Sequence, residues 1–229
     1  MINRKLLYTG ITLTALFVLV FLLVNFKVSY NFDVSMFRLI NEKMNVPALD
    51  SFFSAVAIYG REYFWVPVVA LMWILGRAFK NEKAQKGALM LTIVFILTII
   101  IGLTLKQVYY RPRPFLSLAN VLVLVPKDFD SSFPSGHALI VAAGASIAFL
   151  FLKKKYSIPL VIEAALVCYS RVYVGVHYPT DVLAGIFLGV AISFITYSLL
   201  MDTKYFNRLF MFVNNAYTAI LRSVHLYKQ

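Results

Sequence analysis

The sequence predicts an all-α integral membrane bundle of six transmembrane helices, with both termini on the cytoplasmic side (N-in/C-in). Hydrophobic residues make up 61% of the 229 residues, which is more than the roughly one half typical of a soluble domain. They are concentrated in six long apolar runs, and basic residues lie between alternate runs. Because a bilayer is the solvent in which such runs are buried, we expect a membrane protein.

Six apolar segments approach the length of about 20 residues that a helix needs to cross a bilayer. In chain order they are Leu6–Val24, Tyr63–Ala78, Ala88–Leu105, Ala138–Leu152, Ile158–Tyr169 with an extension towards Val174, and Val182–Leu200. The first begins like a signal peptide, but it is too long and no small-residue cleavage site follows it, so we expect it to be retained. No internal repeat is visible, and residues 1–229 are interpreted as a single domain.

The distribution of charge sets the expected orientation. The formal net charge is +12, and basic residues cluster beside alternate helix ends, as they do in cytoplasmic loops. These residues are Arg4, Lys5, Arg77, Lys80, Lys83, Lys86, Lys153, Lys154, Lys155, Lys204 and Arg208. Residues 106–137 and 170–181 then lie on the extracytoplasmic face of the plasma membrane. Because the charges flank apolar runs and form no basic face, we exclude a nucleic-acid partner.

Two amphipathic segments are predicted to form interfacial helices. In residues 25–50, Asp33 is a candidate cap for a short helix whose apolar face consists of Met36, Phe37, Ile40 and Met44. Residues 205–229 mix apolar side chains with Arg208 and Arg222. Each segment fits a helix that lies along the membrane surface and fits equally a helix that packs against the bundle.

The first polar cluster is KQVYYRPRP, residues 106–114, which follows the third apolar run. Lys106 and Arg113 are spaced so that both can turn towards one anion. Lysine offers a point charge, and arginine offers a planar fork that matches phosphate oxygens. Taken alone, the cluster is more simply explained by basic side chains that snorkel to the membrane interface.

The second cluster is FPSGH, residues 133–137, at the start of the fourth run. Ser135 suits a helix cap, and Gly136 lets an anion approach backbone N–H groups where the helix dipole favours negative charge. His137 would lie at the mouth of this anion site and could donate a proton to a leaving oxygen. Taken alone, the motif also fits an ordinary capped helix with an interfacial histidine.

The third cluster is SRVYVGVHYPTD, residues 170–181, and it precedes the sixth run. Pro179 suits a first helical turn, so Asp181 can reach back to one imidazole nitrogen of His177. Such a contact fixes the tautomer and leaves the other nitrogen free to attack, while Arg171 adds a cation. The alternative is a plain helix cap with a bystander histidine.

Three phosphate-compatible clusters on one predicted side favour phosphoryl transfer, which needs mainly positioning and charge stabilisation.

Together the clusters resemble the signature of the phosphatidic acid phosphatase type 2 family, whose members are membrane lipid phosphatases related to the vanadium haloperoxidases. That signature is Lys, six residues, Arg-Pro; then Pro-Ser-Gly-His; then Ser-Arg, five residues, His, three residues, Asp. The chain matches every position, through Lys106…Arg113-Pro114, Pro134-Ser135-Gly136-His137 and Ser170-Arg171…His177…Asp181. The motif core therefore spans residues 106–181.

The resemblance implies a role for each motif residue. His177 would attack phosphorus and form a phosphohistidine, Asp181 would assist it, and His137 would protonate the leaving oxygen. The phosphate would be bound by Lys106, Arg113, Ser135, Gly136 and Arg171. No metal or other cofactor is expected, and no Asp, Glu, His and Cys cluster has ligand spacing.

Two charged residues fall outside the signature. Arg111 lies between the motif cations and is interpreted as a headgroup or lipid contact. Glu163 is the one acid within a predicted span. We expect it to face the bundle and bond to a neighbouring polar group, nearer the cytoplasmic end of the helix and away from the motifs.

The expected partners are the bilayer and a lipid phosphate or lipid diphosphate. The resemblance favours hydrolysis of an undecaprenyl- or dolichyl-type polyprenyl diphosphate to the monophosphate, with phosphatidate and phosphatidylglycerol phosphate as alternative substrates. An anion or lipid transporter would explain the basic residues without chemistry, but it requires helices broken near the bilayer midplane. A scaffold with a vestigial site is a third alternative, which the intact motifs disfavour. The sequence leaves the oligomeric state open.

Overall fold

Residues 3–223 are described by the computed structural model, and within them the chain forms ten α-helices and no strand. The helices are α1 Arg4–Asn25, α2 Tyr30–Arg38, α3 Pro47–Tyr59, α4 Glu62–Ala78, α5 Glu82–Val108, α6 Pro114–Ser117, α7 Gly136–Phe151, α8 Lys154–Tyr173, α9 Pro179–Leu200 and α10 Lys204–Ser223. A short π-helix, Leu39–Lys43, continues α2. The predicted all-α class is confirmed for the described residues.

Each of the six predicted apolar segments coincides with one long helix, namely α1, α4, α5, α7, α8 or α9. Some of these helices begin before the predicted apolar segment, at a local start signal. The Asn81 side chain caps α5 by accepting from the Ala84 N–H, and Pro179 occupies the first turn of α9. Three helices, α1, α5 and α9, are long and apolar enough to cross a membrane. The bent pair α3–α4, with 57° between its helices, gives a fourth candidate span if it counts as one.

Helix α7 lies at the centre of the bundle, where it contacts α5, α8 and α9. Its small residues let neighbouring helices approach closely. A Cβ on Gly144 would lie 2.6 Å from the Trp65 ring of α4, and a Cβ on Gly189 of α9 would lie 2.3 Å from the Leu139 carbonyl oxygen. Because neither glycine leaves room for a side chain, these contacts fix α4 and α9 against α7.

The segment 25–50 differs from its prediction in two respects. Asp33 does not cap the helix that contains it: Ser29 holds the N-cap position of α2, and Asp33 lies in the first turn with its side chain fully buried. Phe37 is also fully buried, whereas Met44 is exposed. Helix α3, which begins within this segment and packs against α8, was not predicted from the sequence.

Helix α10 packs one face against the bundle. Phe206 and Phe210 are buried, and Arg77 at the end of α4 donates a hydrogen bond of 2.8 Å to the Asn214 side chain. The part of the predicted segment 205–229 that lies in α10 therefore contacts the bundle, as one of the two alternatives proposed. Residues 224–229 of that prediction lie outside the described residues.

Candidate active site

The three motif segments meet at one end of the bundle. Helices α5 and α8 end there, and α7 and α9 begin there. A cavity of about 240 Å³ lies between them, and six of the eight predicted site residues line it: Lys106, Arg113, Gly136, His137, Arg171 and His177. The other two, Ser135 and Asp181, are fully buried. A larger cavity, about 510 Å³ beside the end of α1, contains Arg111 but neither motif histidine.

His177 lies in the short loop between α8 and α9 and is only 1% exposed. Its Nε2 is 3.5 Å from an Arg113 guanidinium nitrogen, and its Nδ1 is 3.7 Å from Oδ2 of Asp181. Burial, followed by the positive charges of Arg113 and Arg171, holds the pKa of His177 well below its ordinary value. The imidazole is therefore neutral at neutral pH, and one of its nitrogens carries a lone pair.

Ser132, which belongs to none of the three sequence clusters, lies between His177 and Asp181. Its hydroxyl donates to Asp181 Oδ2 at 2.5 Å, and its Oγ is 3.3 Å from His177 Nδ1. Since this Oγ uses its proton on Asp181, it accepts from Nδ1–H, which leaves the lone pair on Nε2. Asp181 thus acts on His177 through Ser132, because 3.7 Å is too long for a direct hydrogen bond. A serine in a polar loop carries no distinguishing sequence signal.

Lys106 and Arg113 lie together, and both bind the carboxylate of Asp130. Lys106 Nζ is 2.7 Å from Oδ2, and Arg113 Nη2 is 2.5 Å from Oδ1. Burial alone would raise the pKa of Asp130, but the hydrogen bonds from Lys106 and Arg113 hold this pKa below its ordinary value. The Asp130 side chain is half-exposed. An ionised carboxylate therefore lies between two of the motif cations.

Two buried donors near the cavity lack a hydrogen-bond partner within the described residues. Ser135 holds the N-cap position of α7 without making a capping hydrogen bond, and its Oγ has no hydrogen-bond partner among the described residues. Arg171, in the last turn of α8, donates from Nη1 to the Ala57 carbonyl at 2.9 Å. Within residues 3–223 its Nε has no partner. A phosphate in the cavity would satisfy donors that are otherwise costly to bury.

Arg111, which the sequence suggests as a headgroup or lipid contact, lines the larger cavity and hydrogen-bonds to two buried carboxylates. It donates to Asp181 Oδ1 at 2.5 Å, to Asp33 Oδ2 at 2.7 Å and to Thr180 Oγ1 at 2.9 Å. Asp33 also accepts from the Thr180 backbone N–H at 3.0 Å. This network joins α2 to the start of α9 and fixes the carboxylate that acts on His177. The role of Asp33 was missed because its partners are distant in sequence.

Glu163 bonds to a neighbouring polar group, as predicted: Trp65 Nε1 donates to its Oε2 at 3.2 Å. It lies half way along α8 rather than nearer one end. In the described part of the chain, no group of three or more His, Cys, Asp or Glu side chains is arranged to hold a metal ion. The metal-free mechanism stays a prediction.

Comparison with known proteins places this geometry in a family. Residues 87–205 match the PAP2 superfamily. The undecaprenyl-diphosphatase of Sulfolobus acidocaldarius is 40% identical over 194 residues, which cover 84% of this chain and 91% of that protein. Undecaprenyl-diphosphatase BcrC of Bacillus subtilis is 34% identical over 149 residues, which cover 64% of this chain and 74% of BcrC.

Two solved structures share the fold. The transmembrane PAP2-type phosphatidylglycerolphosphate phosphatase of Bacillus subtilis has a TM-score of 0.72 at 26% identity, over 86% of this chain and 98% of that one. Aquifex aeolicus LpxE has a TM-score of 0.62 at 31% identity, over 72% of this chain and 94% of that one. With its several apolar helices, the chain is a multi-pass membrane protein. It belongs to the PAP2 superfamily and is a phosphatase.

Proposed function

We propose that this phosphatase hydrolyses a polyprenyl diphosphate of the undecaprenyl or dolichyl type to the monophosphate, with His177 as nucleophile. The observation that carries the proposal is a buried, neutral His177 beside Arg113, in a cavity that Lys106 and Arg171 also line. The names of two relatives, both undecaprenyl-diphosphatases, support the substrate class.

In the first step, His177 Nε2 attacks the terminal phosphorus. The N–P bond forms while the P–O bond to the lipid monophosphate breaks. Lys106, Arg113 and Arg171 stabilise the charge on the equatorial oxygens. Ser132 and Asp181 hold Nδ1–H and offset the positive charge that develops on the ring.

His137, which lines the same cavity, serves both steps. The negative charge of a bound diphosphate favours the protonated form of His137, which takes up a proton as the substrate binds and gives it to the departing oxygen. The neutral His137 then takes a proton from water as the water oxygen attacks the phosphohistidine. The N–P bond breaks, inorganic phosphate leaves, and both histidines return to their starting states.

The test uses purified protein in detergent with a polyprenyl diphosphate and EDTA. We expect phosphate release by the wild type and an acid-labile, base-stable phosphoenzyme, both absent in His177→Ala. Arg38→Gln is a control, because Arg38 forms an exposed pair with Glu42 outside the cavity. Phosphate release that persists in His177→Ala would overturn the assignment of the nucleophile.

A glycerolipid phosphate is the second candidate substrate. The likeness to a phosphatidylglycerolphosphate phosphatase, at a TM-score of 0.72, favours it. Ranking kcat/KM for polyprenyl diphosphate, phosphatidate and phosphatidylglycerol phosphate decides between the two. The transporter alternative has no such support, because the motif cations lie at helix ends.

We also propose six spans, N-in/C-in, in the plasma membrane, with the cavity on the extracytoplasmic face. The support is the charge pattern, since Lys153, Lys154 and Lys155 lie at the opposite end of α7 from the cavity. In a Cys168→Ala background, we expect Ala119→Cys in intact cells to react with a membrane-impermeant maleimide and Lys154→Cys not to react. Both positions are exposed, and the reverse labelling would invert the topology.

A further inference from the structure

Arg61 is a cation at the candidate active site that the three-part signature does not contain. It lies at the corner between α3 and α4 and lines the same cavity as Lys106, Arg113 and Arg171. Its Nη1 is 3.7 Å from the point where a Cβ on Gly136 would stand. The charge of Arg61 also acts on both His137 and Arg171. Arg61 therefore faces the α7 side of the cavity, next to His137.

The corner that carries Arg61 is held firmly against α8. A Cβ on Gly60 would lie 2.3 Å from a Val167 methyl carbon, so only glycine allows this approach. One turn earlier, the Ala57 carbonyl accepts the hydrogen bond from Arg171. The position of Arg61 is thus coupled to that of a motif cation, which is what a binding residue requires.

Arg61 forms an ion pair with a carboxylate, as Lys106 and Arg113 do. Its Nε is 2.5 Å from Glu62 Oε2, and the Glu62 side chain is 52% exposed. Lys106 and Arg113 hold Asp130, which is similarly exposed. Besides Arg171, the cavity therefore has two cationic groups that are each paired with a half-exposed carboxylate. Two such places match the two phosphates of a diphosphate.

We propose that Arg61 forms a second anion subsite, which binds the lipid-linked phosphate of a diphosphate substrate and selects diphosphates over monophosphates. This proposal rests on the proposed function. The terminal phosphorus lies at His177, and the leaving group lies on the side of His137, where Arg61 is found. In a diphosphate the leaving group is a lipid monophosphate, and Arg61 binds its negative charge. In a lipid monophosphate the leaving group is an alcohol, which offers Arg61 no charge.

The experiment compares kcat/KM for polyprenyl diphosphate and polyprenyl monophosphate in the wild type, Arg61→Gln, Arg61→Lys and Arg38→Gln. A lost charge-assisted hydrogen bond is worth about 10- to 100-fold in affinity. We expect Arg61→Gln to lower the diphosphate-to-monophosphate ratio by that factor, Arg61→Lys to restore part of it, and Arg38→Gln to leave it unchanged. An unchanged ratio in Arg61→Gln would overturn the subsite.

A second measurement does not depend on the folding of Arg61→Gln. Methylene diphosphonate, a non-hydrolysable diphosphate, should inhibit Glu62→Gln at about 3- to 10-fold lower concentration than the wild type, because the competing carboxylate is gone. Equal inhibition would count against the subsite. If the wild type releases phosphate from no lipid, the proposed function fails. If the wild type releases phosphate from a lipid substrate and the Arg61 variants keep the wild-type ratio, only the subsite proposal fails.

Discussion

Replacing Arg111 by methionine tests whether the buried network holds Asp181 in place. Methionine keeps much of the length of the side chain but removes its charge, so Asp33 and Asp181, both fully buried, lose their common cation. Breaking a buried ion pair costs about 3–5 kcal/mol, and each kcal/mol lowers the Tm of a chain of this size by about 2–4 °C. We expect the Tm of Arg111→Met to fall by roughly 6–20 °C.

The kinetic expectation separates this role from contact with lipid. A misplaced Asp181 should lower kcat for polyprenyl diphosphate by at least about 100-fold, with little change in KM. Adding Asp33→Asn removes one of the two unpaired charges and should recover part of the lost Tm. The control Arg38→Met breaks an exposed pair with Glu42, worth about 0–1 kcal/mol. If Arg111→Met keeps its Tm and only raises KM, Arg111 binds lipid and does not hold Asp181 in place.

Three further predictions concern the cavity. Ser132→Ala breaks the link between Asp181 and His177 and should lower kcat roughly 10-fold at constant KM in the phosphate-release assay; unchanged kcat would exclude the link. Asp130→Asn removes the carboxylate that competes for Lys106 and Arg113, so the inhibition constant of vanadate should fall roughly 10-fold; a rise would show that Asp130 helps to bind the anion. Because the pKa of His177 is lowered in the folded protein, acidic conditions protonate this histidine in the unfolded chain but not in the folded one. Stability should therefore fall by up to about 1.4 kcal/mol for each pH unit below about 6.5. His177→Asn should lose less Tm than the wild type between about pH 7 and about pH 5, and an equal loss would contradict this origin.

The sequence was sufficient for the long helices because an apolar run of nearly spanning length has few alternatives to a helix. Helix α3 was missed although local signals exist, with Pro47 in its first turn and Gly60 directly after its end. Its apolar residues merge with those of α4, and the 57° bend between the two helices arises without a proline at the corner. The contact of Gly60 with Val167 on α8 is tertiary, so no local sequence pattern predicts it.

The motif spacing was sufficient to name the residues that meet at the cavity, because each motif lies at the end of a helix and the helix ends coincide. It could not supply Asp33, Ser132 or Arg61. Asp33 and Arg61 reach the site from other segments of the chain, and Ser132 lies directly before the second motif but has no place in the signature. Their contacts depend on how the helices pack. The buried partners of Arg111 were missed for the same reason, since a basic residue near a membrane surface has no local feature that distinguishes burial from lipid contact.

The seam between α7 and α9 restricts the route of a lipid tail. With the Gly189 backbone against the Leu139 carbonyl, no methylene chain fits between these helices. On the α5 side the cavity is lined by Ile99, Gly102 and Leu103, and Ile99 and Leu103 are 44% and 58% exposed on the outside of the bundle. The tail can therefore stay in the hydrocarbon layer along α5 while the headgroup turns into the cavity. Delivery of such a substrate is two-dimensional: it depends on lateral diffusion in the leaflet and not on the solubility of the lipid in water.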